Sequence, residues 1–90
     1  MIETSHVNAV IDFVHSKGLS EQSVIELRRQ FSEYHFTWCM EDDMDNAAPA
    51  IEQGAFNIYF VDSSDHCSRL TIDHKKASGM VLAEVVEEAF

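Results

Sequence analysis

Basic residues are scarce in this chain: six Lys and Arg face sixteen Asp and Glu over 90 residues, a formal net charge of -10. Such a surface repels phosphate backbones and anionic membranes. It argues against nucleic-acid binding and favours basic partners. The paired cations Arg28-Arg29 and Lys75-Lys76 are a thin footprint for a nucleic-acid reader. Cysteine is scarce too. Cys39 and Cys67 form neither a C-x-x-C redox motif nor a zinc knuckle. A secreted domain of this size commonly carries several disulfides. The three glycines, at 18, 54 and 79, are isolated, which leaves no glycine-rich loop to cradle a phosphate chain. No apolar run approaches the length of a membrane span. Met1-Ile2-Glu3-Thr4-Ser5 lacks the basic stretch and apolar run of a leader. Together these absences predict a cytoplasmic protein with reduced thiols, no membrane contact and no cofactor.

What is present is the composition of a globular domain, 46% hydrophobic and 24% charged. Ninety residues suffice for one core, so residues 1–90 are expected to form a single domain. Val7, Val10, Ile11 and Val14 recur at helical spacing, with Thr4 or Ser5 as the cap and Gly18 at the C-terminal end. Ser20 is placed to cap a second helix whose buried stripe is Val24, Leu27, Phe31 and Tyr34, with Leu19 stapled onto Val24. The period changes at His35. Phe36, Trp38 and Met40 alternate with His35, Thr37 and Cys39, which predicts a strand with Trp38 on its core side. Residues 47–54 look like a loop, with room for one helical turn near Ala50. Phe56, Ile58 and Phe60 alternate with Asn57, Tyr59 and Val61 in a second strand, followed by a turn at Asp62-Ser63-Ser64-Asp65 and a returning strand to Ile72. Asp73 is expected to cap a last helix carrying Ala77, Met80, Val81, Val85 and Val86, with Gly79 as a weak point. The predicted class is α+β: a two-layer domain in the order α-α-β-β-β-α, with a three-stranded antiparallel sheet and the helices on one face.

The predicted hairpin sets Val61 opposite His66 and Phe60 opposite Cys67. One face of the sheet then carries Phe56, Ile58 and Phe60 under the helices. The other carries Tyr59, Val61, Leu70 and Ile72, a candidate binding interface for another protein or for a second copy in a homodimer. A bulge near Cys67 or Ser68 would instead turn Leu70 and Ile72 inward.

Three residue groups have chemical potential. Glu41, Asp42, Asp43 and Asp45 offer oxygen ligands for a hard cation, but without the glycine and spacing of a calcium loop they read as a solvated acidic loop. His35, Cys39, His66 and Cys67 are ligand types for zinc or copper. Cysteines are also common as plain core residues. Cys67 has His66 and Arg69 nearby, and cations favour a thiolate. Adjacent strand residues diverge, which places His66 poorly as a base for Cys67. The expected function is a small acidic protein-binding or regulatory protein without catalytic activity. A Zn or Cu accessory protein is the first alternative and a thiol-dependent enzyme the second.

Overall fold

The structure, a computed structural model, describes residues 1–44, 47–63 and 69–85. Among them two α-helices lead into a five-stranded mixed sheet. Helix α1 spans Thr4–Lys17 and α2 spans Glu21–Gln30; the strands are β1 (His35–Met40), β2 (Ile51–Glu52), β3 (Phe56–Asp62), β4 (Arg69–Thr71) and β5 (Gly79–Glu84). A 3-10 helix, Glu41–Met44, follows β1.

The helical corner is built from side chains that satisfy exposed backbone groups. Gly18 N–H returns to Val14 O at 2.8 Å and ends α1. Ser20 Oγ accepts the Ser23 N–H at 3.2 Å as the cap of α2, and Ser23 Oγ donates back to Gly18 O at 2.6 Å. Helix α1 starts differently from expectation. Its N-cap is Glu3, whose side chain makes no capping bond. The entering chain is instead tethered from Ile2 N–H to His74 O at 2.9 Å.

The expected α-α-β-β-β-α order and three-stranded antiparallel sheet are overturned by the C-terminal third. Residues 79–84 form a strand, not a helix, and β5 sits inside the sheet between β1 and β3. A central strand with partners on both sides and cover on both faces loses its polar alternation, so Met80-Val81-Leu82-Ala83 reads equally as a buried helix. Gly79 marks the difference. A Cβ there would lie 2.8 Å from His35 O, so close approach of β1 requires glycine at this position. Asp73 caps only one turn, its Oδ1 accepting the Lys75 N–H at 3.0 Å. Strand β1 runs parallel to β5, and β3 antiparallel to it.

The other edge of β3 is shared end to end by two short strands. Strand β2 pairs Ile51 with Ile58, and β4 pairs Val61 with Leu70. The predicted His66 and Cys67 pairings are therefore replaced by Val61 with Leu70 and Phe60 with Thr71. Ser64 and Asp65 of the expected turn lie outside the described residues. Gly54, with φ of 81°, turns the chain from β2 into β3 inside what looked like loop.

Both helices pack on one face of the sheet. Val7, Val10, Val14, Val24 and Leu27 meet Phe36, Phe56, Ile58, Phe60, Met80 and Leu82 in one buried cluster. Trp38 shares that side of β1 but is 39% exposed, because β1 is the margin of the sheet and has a strand neighbour on one side only. That margin is guarded: Arg28 donates from Nε and Nη2 to Phe36 O at 3.2 and 2.9 Å.

Candidate functional site

The face of the sheet turned away from the helices is assembled by strand register. Thr37 and Cys39 of β1 lie beside Val81 and Ala83 of β5, which lie beside Tyr59 and Asn57 of β3. Val61 continues to Leu70 on β4. This second face is closed over one part and open over another.

The closed part lies under the segment after β1. The expected acidic loop is a 3-10 helix over Glu41–Met44 that folds back against β1 and β5. Tyr59 is only 1% exposed. Its hydroxyl donates to Glu41 Oε1 at 2.5 Å and lies 3.4 Å from Ala47 O. Burial first, then the hydrogen bond and charge of Glu41, push the Tyr59 phenol up to about 12. Glu41 Oε2 is closed from solvent and has no hydrogen-bond partner. Cys39 Sγ approaches Met44 Sδ at 3.5 Å under the same cover. Its thiol pKa is raised by burial and by the charges of Asp43 and Glu41, the opposite of what activates a nucleophile.

The open part is formed by β4 and the residue after it. Leu70 is 44% exposed and Ile72 is 76% exposed. With Ala47, Ala48, Thr71 and the covered Tyr59 they line a cavity of about 400 Å³. Of the four predicted interface residues, then, Leu70 and Ile72 face solvent, Val61 is half-buried and Tyr59 is sealed. The sequence could not show the sealing, because Glu41 and Ala47 reach Tyr59 from 18 and 12 residues away. Cys67 and Ser68, where a bulge would have turned Leu70 and Ile72 inward, lie outside the described residues, and Leu70 and Ile72 themselves are exposed.

The remaining candidates are dispersed. Asp42 and Asp43 stand exposed on the 3-10 helix while Glu41 turns inward; Asp45 lies outside the described residues. His35 and Cys39 occupy the same face of β1 but stand four residues apart, about 13 Å along a strand, too far to share one ion. His66 and Cys67 lie outside the described residues. Among the described residues, no group of three or more His, Cys, Asp and Glu side chains is placed to hold a metal ion. No helix among them is long and apolar enough to cross a membrane.

Comparison with known proteins gives one match. The profile of the family of unknown function DUF6129 matches residues 11–85, and the chain belongs to that family. The match runs from within α1 to the end of β5, and so takes in the helical corner and the whole sheet. No curated protein and no solved structure matches the chain.

Proposed function

We propose that this DUF6129 chain is a non-catalytic protein-binding module that docks a basic partner on the open part of its second sheet face. The observation that carries the reading is the aliphatic pair Leu70 and Ile72, 44% and 76% exposed, the first on a three-residue edge strand and the second just after it. Exposed branched side chains beside a concave surface are a common anchor point for a partner's apolar residue. Charge sets the partner's character. Asp43 is exposed on the 3-10 helix, whose last residue Met44 accepts from Ala47 of the cavity wall, and Glu52 is exposed on β2, along the same edge of β3 as β4. With a net charge of -10, this surface steers Lys- and Arg-bearing proteins toward the patch and repels a second copy of itself.

A photo-crosslinking amino acid in place of Ile72 tests the reading in the cells that make the protein. The expected result is a covalent adduct with a distinct basic protein, identified by mass spectrometry and absent when the probe replaces Glu21 on α2. Adducts only between copies of this chain would replace the basic partner by a homodimer. The same adducts from both positions, or none from Ile72, would remove the docking surface.

A further inference from the structure

Half of the chain's cations gather at one end of the sheet. Arg69, Lys75 and Lys76 are three of its six Lys and Arg, and all three line one cavity of about 670 Å³ between the end of β3 and the start of β5. Asp62 is the one carboxylate among the described lining residues. Asp62 and Arg69 are each engaged in contacts of their own, whereas the exposed ammonium groups of Lys75 and Lys76 extend from the turn that precedes β5. In so acidic a chain this is a local reversal of charge.

A second cavity, of about 430 Å³, adjoins the first and shares Ser63 and Ser78 with it. The two hydroxyls are hydrogen-bonded to each other at 2.5 Å at the seam, and Ser78 Oγ also lies 3.4 Å from Val61 O, so at most one hydroxyl proton is left to turn toward a ligand oxygen. Beyond the seam the lining changes character. His35, Thr37 and Val61 stand around Gly79, which sits between His35 and Val61 in register. Gly79 is buried, and the place a side chain would take there is filled by His35 O and Cβ, so the shallow slot is bounded by His35, Thr37 and Val61. Each cavity falls within the roughly 300–1,000 Å³ typical of small-molecule sites.

We propose that this two-part groove binds a small organic phosphomonoester. Its phosphate sits against Lys75, Lys76 and the serine pair, and its flat apolar body lies in the slot beside His35, Thr37 and Val61. Two ammonium groups match the charge of about -2 on a phosphomonoester at neutral pH, and ammonium point charges suit phosphate without a fixed approach. The slot supplies selectivity for a ring over bare phosphate. A polynucleotide is excluded by the carboxylates of the remaining surface. The groove uses neither Leu70 nor Ile72, so it stands or falls separately from the docking surface.

The test is a titration followed by amide chemical shifts, with phenyl phosphate, inorganic phosphate and benzoate as probes. The expected result is saturable shifts at Ser63, Lys75, Lys76, Ser78 and Gly79. Phenyl phosphate should bind about tenfold tighter than either other probe. The double variant Lys75→Glu with Lys76→Glu changes exposed side chains only and should keep its melting temperature, yet weaken phenyl phosphate by about tenfold or more. Lys17→Glu, on the helix end near the opposite end of β3, should bind as the parent does. Equal affinity for inorganic phosphate and phenyl phosphate would overturn the ring slot. Benzoate binding as tightly as phenyl phosphate would overturn the phosphate. Shifts that never saturate, or a double variant that binds like the parent, would overturn the site.

Discussion

Ile58 and Tyr59 are consecutive residues of one strand, and both are shut away from solvent, at 0% and 1% exposure. They are shut away by different means. Ile58 faces the helices and is closed by apolar packing from both of them and from the neighbouring strands. Tyr59 faces the other way and is closed by the 3-10 segment, with a single short hydrogen bond to Glu41 at its centre. Apolar packing is non-directional and scales with area. A polar latch depends on geometry and protonation, and its worth is lost if either partner is removed. The helix face is thus a completed core, and the second face is partly sealed and partly left for something else.

The largest effect should come from the completed core. Ile58→Ala should cost about 2–5 kcal/mol, because the site is fully enclosed and cannot collapse freely. Chemical denaturation measures it. A loss well below that range would mean that the two faces are not so different in packing.

Tyr59→Phe should cost less, about 1–3 kcal/mol, by leaving the enclosed Glu41 carboxylate without its donor. The two faces also differ in pH response. The Tyr59 phenol ionises at about 12 in the folded protein, against an ordinary value of 10.0. As pH rises past 10, the unfolded chain releases this proton first. The stability held by the neutral phenol is therefore complete below pH 10 and is lost as pH climbs through about 12. Denaturation midpoints between pH 9 and pH 12 should fall more steeply for the parent than for Tyr59→Phe. Parallel curves would show that the latch is not what closes this side.

A smaller effect is expected at the corner that sets the helices on the first face. Ser20→Ala should cost about 1 kcal/mol, since Ser20 Oγ caps α2. An unchanged denaturation midpoint would show that the Ser23–Gly18 bond holds the corner alone.

Local chemistry made part of this architecture legible. Ser20 announced its helix, the apolar spacing announced α1 and α2, and strict alternation announced β1 and the first face of β3. The parallel pairing of β1 with β5 was not legible, because it joins segments more than forty residues apart, and nothing local at Met80 or Leu82 separates a buried strand from a buried helix. Gly79 was the available signal. Its cost to a helix was visible in the sequence, but its use as a point of strand approach depends on His35. The placement of Tyr59, Val61, Leu70 and Ile72 was half legible for a related reason. Alternation placed Tyr59 and Val61 on the second face, whereas the cover over Tyr59 depends on how an acidic run folds back across the sheet. Leu70 and Ile72 escape that cover because β4 lies on the outer edge of β3.

The central claim is that the second face is open at Leu70 and Ile72 and closed over Tyr59. Methyl relaxation in the presence of a soluble paramagnetic agent tests it most directly, since methyl groups of Ile58, Leu82, Leu70 and Ile72 report both faces in one sample. The expected result is strong broadening at Ile72, intermediate broadening at Leu70 and little at Ile58 or Leu82, unchanged as protein concentration rises. Protection of the Ile72 methyls to the level of Ile58 would contradict the account, because the patch would then already be covered in the isolated protein.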